Sequence, residues 1–178
     1  MHWHLQILWP FDENTPEVFI ASVDGIHVKI QEPRQVPSTR WYSHKSNSAG
    51  LAYEVAVDLH QSRIVSVNGP FQAGVSDIAI FKQSLIHKIP PGKKVIADKG
   101  YRGVPNIVST PNQFDPSPLK AWKSRARARH ETLNSRLTNF QALSDVYRHA
   151  PEDHQSLFEA VCVIVQYDME NGHELFAI

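Results

Sequence analysis

Two β-branched runs that each carry an aspartate constrain this chain more than any other feature. The first, Val18-Phe19-Ile20-Ala21-Ser22-Val23-Asp24-Gly25-Ile26-His27-Val28, holds Asp24 beside a glycine; the second, Val95-Ile96-Ala97-Asp98-Lys99-Gly100-Tyr101, reaches Asp98 at its end. Runs of this kind read as buried strands. A buried carboxylate without a partner is costly, so an inward-facing Asp24 needs a metal or a basic group. A third acid, Glu131, sits in the basic helical stretch Arg127-Ala128-Arg129-His130-Glu131. Two strand carboxylates and one helix carboxylate are oxygen donors suited to Mg²⁺ or Mn²⁺. A pair of such ions about 4 Å apart activates water and stabilises the leaving oxygen in phosphodiester cleavage. Residue by residue, the plainer readings stay open: Asp24 as a polar residue at a strand bend, Asp98 as a turn residue at a strand end.

Composition narrows the class. A length of 178 residues suits one domain with a sizeable core and an extension. The single cysteine, Cys162, lies in an apolar stretch, so an internal disulfide and a cysteine-based zinc site are both excluded. No uninterrupted apolar run approaches the roughly 20 residues of a membrane span, and the start, Met1-His2-Trp3-His4, lacks the pattern of a signal peptide. No membrane association and an intracellular setting are therefore expected. The formal net charge of zero argues against a strongly electrostatic nucleic-acid binder. Locally the balance differs. From Ser117 to Arg136 the chain has Lys120, Lys123, Arg125, Arg127, Arg129 and Arg136 against Glu131 alone, a set that neutralises several phosphates if it shares one face and is a solvated helix surface if it does not.

Along the chain, residues 1–16 read as an N-terminal remnant or extension and 17–178 as the domain proper. A strand is expected over Val18–Ile30, a proline-interrupted loop over Glu32–Ser38, and a hairpin from Tyr53–Leu59 and Ile64–Val67, ended by Gly69-Pro70. Ser76 or Asp77 caps a short helix carrying Ile78, Phe81 and Leu85. Lys93–Asp98 is a central strand, Asn106–Pro118 is irregular, and Ser117-Pro118 starts a long helix. On that helix Trp122, Ala126, Leu133, Leu137 and Phe140 form the core stripe, which leaves Glu131 on the outer face with an exposed Arg127–Glu131 pair as its simplest role. A last helix over Glu152–Gln166 faces the core through Leu157, Val161 and Ile164, with Phe158 and Val165, and stops at Asn171-Gly172.

Strand, hairpin, short helix, strand and acid-bearing long helix is the order of an α/β, ribonuclease H-like mixed sheet flanked by helices. Ser22-Val23-Asp24-Gly25-Ile26-His27, Gly74-Val75-Ser76-Asp77, Ala97-Asp98-Lys99-Gly100-Tyr101 and Arg127-Ala128-Arg129-His130-Glu131 together resemble the DDE transposases of the PIF/Harbinger and IS5-like group and their domesticated relatives. The arginine four positions before the helix glutamate is met by Arg127; the basic residue expected seven positions after it is replaced by Thr138. The resemblance implies Asp24, Asp98 and Glu131 as a catalytic, metal-binding triad using Mg²⁺ or Mn²⁺. Asp77 stays open between a further metal ligand and a helix cap. In-line attack on a DNA phosphate by water or a 3′-hydroxyl is implied, with Lys120, Lys123, Arg125, Arg127 and Arg129 holding phosphates. Also implied are a Myb-like DNA-binding partner, a homodimer for strand transfer, and residence in the nucleus of a eukaryote or otherwise the cytoplasm. A catalytically inactive, domesticated module that binds DNA or protein is the alternative.

Overall fold

The apolar alternation of the first strand sets the architecture. In the computed structural model, which describes residues 18–34 and 39–178, strand β1 (Phe19–Lys29) pairs antiparallel with β3 (Ser48–Asp58) on one side and parallel with β5 (Lys94–Ala97) on the other. The short β2 (Tyr42–Ser43) and β4 (Ile64–Gln72) both pair with β3, and β6 (Val108–Ser109) extends the far edge in parallel with β5. The result is a mixed six-stranded sheet ordered β2-β3-β1-β5-β6, with β4 beside β3. Helices α1 (Asp77–Gln83), α2 (Ser117–Thr138), α3 (Gln141–Ser144) and α4 (His154–Glu170) flank it. This is the expected α/β, ribonuclease H-like arrangement. The N-terminal segment 1–16 and residues 35–38 of the proline loop lie outside the described residues.

Strand alternation sorts side chains to two faces. Ile26, Val28, Tyr53, Val55 and Val57 pack against Leu133 and Leu137 of α2 and Phe158, Val161 and Val165 of α4. On the other face Ala21, Val23, Ala56, Val95 and Ala97 meet Phe81 of α1, Leu85 and Tyr101. Because both faces are covered, β3 is buried from Gly50 through Val57. Tyr53 stacks on Phe158 with ring centroids 3.8 Å apart, and its hydroxyl shares a 2.9 Å hydrogen bond with His154 Nδ1.

Several expectations shift by a few residues, each for a physical reason. Strand β4 continues through Gly69-Pro70 to Gln72. It pairs only with β3 and its register slips between Ala52 and Glu54, so the missing proline N–H costs no ladder bond. Helix α2 begins at Ser117 with Pro116 at the cap. Its stripe is continuous where apolar counting leaves a gap, because Arg129 and His130 occupy the turn between Ala126 and Leu133 and are buried with them. The last helix starts at His154 and presents Phe158, Val161, Cys162, Val165 and Met169 inward, leaving Ile164 half exposed. Gly172, at φ 104°, follows its end as the left-handed residue that glycine tolerates.

His154 is fully buried, and burial lowers its pKa from 6.5 to about 4. The unfolded chain therefore gains a proton that the folded one refuses as pH falls from about 6.5 to 4. This contribution to stability is present above that window and lost within it. Replacing His154→Gln is expected to reduce the acid-side slope of unfolding free energy against pH by roughly 1 kcal/mol per pH unit, measured by urea titrations at half-unit pH steps.

Candidate active site

Parallel pairing brings the two strand aspartates together. Ser22 lies opposite Ile96 and Val23 opposite Ala97, so the next position along each chain is Asp24 and Asp98. Neighbouring strands run about 4.8 Å apart and in-register residues share a face. Both carboxylates line one cleft of about 380 Å³ on the α2 face of the sheet, and Glu131, exposed on α2, lines it from the opposite wall. The three acids singled out in the sequence thus border a single cavity.

Each strand acid is held by hydrogen bonds. Asp24 Oδ1 accepts from the Gly25 backbone N–H at 2.8 Å, and Asp24 Oδ2 accepts from Asn134 Nδ2 at 3.0 Å. Asp98 Oδ1 accepts from the Gly100 N–H at 2.7 Å and so caps the helical turn Lys99–Tyr101. The turn reading of Asp98 and its place in the cleft hold together. Behind them, Ser22 Oγ and His130 Nδ1 share a 2.8 Å hydrogen bond, and burial holds His130 down at about 4, so it is a neutral, bonded histidine. Its Nε2 and Asn134 Oδ1 are buried polar atoms with no protein partner among the described residues.

Asp77 stands elsewhere. Ser76 takes the N-cap position of α1, without a side-chain cap hydrogen bond among the described residues, and Asp77 is the first residue of the helix rather than its cap. Nor does Asp77 line the cleft. It is seated on the α1 face of β1, against Gly25 and Gly100. Burial first, then opposed by Lys45 3.8 Å away, and then the charges of Asp98 and Asp24 raise its pKa above the usual carboxylate range.

Three cleft residues stand outside the candidate site read from the sequence. Lys45, from the turn between β2 and β3, reaches the Gly25 carbonyl at 3.0 Å; His27 shares a 2.7 Å hydrogen bond with Ser43 Oγ; Asn134 bonds Asp24. Burial, Lys45 and, in the opposite sense, Asp24 leave His27 with a pKa of about 4. Asn134 was legible in principle, since it lies three residues beyond Glu131 on the same side of α2.

The basic set divides. Arg127 is exposed and lines both the cleft and a neighbouring groove of about 330 Å³ that also contains Lys99 and Lys120. Arg129 and Lys123 are corrections. Arg129 is 2% exposed, and its guanidinium donates to the carbonyls of Phe176, Asp58 and Gln61. Lys123 is 4% exposed and pairs with Asp115 at 2.7 Å. Core stripe geometry turns both inward, where protein oxygens satisfy them. Arg125 donates to the Ala177 carbonyl and lies over the Phe176 ring. Among the described residues no ion pair joins Arg127 to Glu131.

The donor set is chemically right for a hard divalent cation, which takes one or two carboxylates and completes its shell with water and phosphate oxygens. Asp24 and Asp98 fit that role. Among the described residues no three His, Cys, Asp or Glu side chains converge on one point; Glu131 lines the cleft as an exposed residue of α2.

A ribonuclease H-like sheet with paired aspartates at the β1–β5 junction and a glutamate helix alongside defines a class of phosphodiester-processing proteins, and the family follows. Residues 23–166 match the DDE superfamily endonucleases, and the chain belongs to that family of nucleases and transposases. It is also similar to the probable transposase for insertion sequence element IS702 of Microchaete diplosiphon, at 26% identity over 145 residues, covering 73% of this chain and 50% of that protein. The chain thus spans about half the length of that relative.

The division of the arginines is testable. Arg129→Ala orphans three carbonyls and is expected to cost about 3 kcal/mol or more, whereas exposed Arg127→Ala is expected to stay within about 0.5 kcal/mol of the parent. Urea unfolding of the two variants side by side reads the difference.

Proposed function

We propose that this chain is the catalytic domain, from about residue 17 onward, of a metal-dependent DNA endonuclease or transposase, with Asp24, Asp98 and Glu131 as its acidic triad. The observation that carries the reading is that these three residues, distant in sequence and on three different elements, border one cleft. Asp24 and Asp98 would hold Mg²⁺ or Mn²⁺, and Glu131 would complete the shell from the rim. A divalent ion there supplies Lewis acidity toward a phosphate oxygen and makes water a nucleophile near neutral pH. The chain's own groups do the rest. Asn134 and the Gly25 N–H orient the Asp24 carboxylate, and the Gly100 N–H orients that of Asp98. Lys45 and Arg127, at the walls of the cleft, attract the phosphate. Lys99 and Lys120 extend the positive track along the adjoining groove, which supplies affinity and register rather than sequence reading.

DNA is the proposed substrate. By resemblance, a Myb-like DNA-binding partner and a homodimer belong to the strand-transfer reaction, in the nucleus of a eukaryotic cell or otherwise in the cytoplasm. The second reading is a domesticated DNA- or protein-binding module without catalysis; the absence of three converging ligands among the described residues favours it.

Calorimetric titration with Mn²⁺ separates the two. Binding by the parent chain is expected, weakened by at least about tenfold in Asp24→Asn and in Asp98→Asn, the loss anticipated when a direct carboxylate ligand is neutralised. Nicking of supercoiled plasmid should disappear in the same two variants. A parent chain that takes up no Mn²⁺ sinks the catalytic reading and leaves the binding module.

A further inference from the structure

Three motifs of the sequence that bear glycine or aspartate meet at one point behind the cleft. Gly25 directly follows Asp24 in β1. Gly100 is two residues after Asp98 and donates its N–H to Asp98 Oδ1 at 2.7 Å. Between them lies the Asp77 carboxylate. A Cβ on Gly25 would stand 2.7 Å from Asp77 Oδ1, and a Cβ on Gly100 would stand 2.9 Å from Asp77 Oδ2 and 2.9 Å from Asp98 Oδ1. No real Cβ tolerates these separations. One oxygen of the carboxylate faces Gly25 and the other faces Gly100, so the group is bounded by a glycine on either side.

The third side is closed by Lys45. Its Nζ lies 3.8 Å from Asp77 Oδ2 and donates to the Gly25 carbonyl at 3.0 Å. Asp77 is itself anchored at the first position of α1, whose Ile80 and Phe81 are buried against the sheet. The carboxylate is therefore a wedge with a fixed base. It touches the backbone immediately after one cleft aspartate and the turn that hydrogen-bonds the other.

We propose that Asp77 is a positioning residue that fixes the separation of Asp24 and Asp98 by filling the space left by the two missing glycine side chains, and that it does not itself bind the metal. This rests on the reading of Asp24 and Asp98 as the metal-binding pair. It also accounts for glycine at both positions without recourse to backbone freedom, since neither residue has a positive φ.

The test is Mn²⁺ titration calorimetry on the full chain, with a melting curve for each variant. Asp77→Ala removes the wedge and is expected to weaken Mn²⁺ binding about tenfold, as loss of a group that orients a ligand does. Asp77→Asn keeps the volume and is expected to return the affinity to within about threefold of the parent. Gly25→Ala should weaken Mn²⁺ binding alone, and add little in the Asp77→Ala background because the obstructing oxygen is gone. Should Asp77→Ala fail to fold, Asp77→Ser and Gly100→Ala carry the same expectation from the two sides of the wedge.

Unchanged affinity in a folded Asp77→Ala or Asp77→Ser variant reduces Asp77 to packing and overturns the proposal. So does loss of binding in Asp77→Asn as complete as in Asp24→Asn, which makes Asp77 a ligand. Additive losses for Gly25→Ala and Asp77→Ala overturn the interlock. Absence of Mn²⁺ binding by the parent chain is a separate outcome. It removes the metal-binding pair, and with it anything for Asp77 to position, while the coupling of Gly25→Ala to Asp77→Ala in the melting curves still shows whether the wedge exists.

Discussion

The parallel register of β1 on β5 is the constraint on which the site depends. Once Val23 stands opposite Ala97, Asp24 and Asp98 follow on adjacent strands and on the same face. Sheet pairing and the apolar residues before each aspartate must hold them there. The hydrogen bonds that each carboxylate accepts come from neutral groups, Gly25 N, Asn134 Nδ2 and Gly100 N. These orient the oxygens. Lys45, a cation lining the cleft, is shared between Asp77 and the Gly25 carbonyl. Behind the cleft, burial first, and then the charges of Asp98 and Asp24 working against that of Lys45, raise the proton affinity of Asp77. Deeper on the α1 face, Glu54 is pushed up to about 7, mainly by burial, against the hydrogen bond from Ser84 and with a further contribution from Asp77.

Helix α2 serves the core and the cleft with adjacent faces. Ala126, Leu133 and Leu137 are buried against the sheet, while Arg127, His130, Glu131, Asn134 and Thr138 line the cleft at intervals of one, three and four residues. His130 belongs to both sets, fully covered and bonded to Ser22 at the base of the cleft. One turn further on, Asn134 touches Asp24 directly. Glu131, between them, remains exposed because the helix face turns outward there. A helix of this kind couples packing to function: sliding or rotating it would move the bond to Asp24 and the position of Glu131 together.

The sequence made the skeleton legible for identifiable reasons. Alternation and β-branching marked β1, the β3–β4 hairpin and β5; Ser117-Pro118 marked the start of α2; Asn171-Gly172 marked the end of α4. Periodicity correctly kept Glu131 off the core stripe, yet it could not show that the outer face beside the stripe borders a cleft. That follows only from where the sheet edge lies. Apolar counting passed over Arg129, Lys123 and Glu54 because it assigns charged side chains to solvent. Each is buried by its position on an inward face and satisfied, in whole or in part, by partners outside its own element. Lys45 was invisible for the opposite reason, since nothing local in the β2–β3 turn indicates that its side chain crosses to Gly25.

Folding also changes what the basic segment from Ser117 to Arg136 can do. Arg129 and Lys123 are consumed internally. Arg125 is bonded to the Ala177 carbonyl, and Arg136 to the carbonyls of His173 and Glu174 with Asp168 nearby. These two arginines tie the C-terminal tail to α2 instead of offering a row of charges. The positive surface near the carboxylates then comes from Arg127 and Lys120 together with Lys99 and Lys45, which lie outside that segment. Each phosphate neutralised adds about 0.9 to the magnitude of the slope of log affinity against log salt on duplex DNA. Four such cations limit that slope to a magnitude of about 4 for any duplex held across this surface.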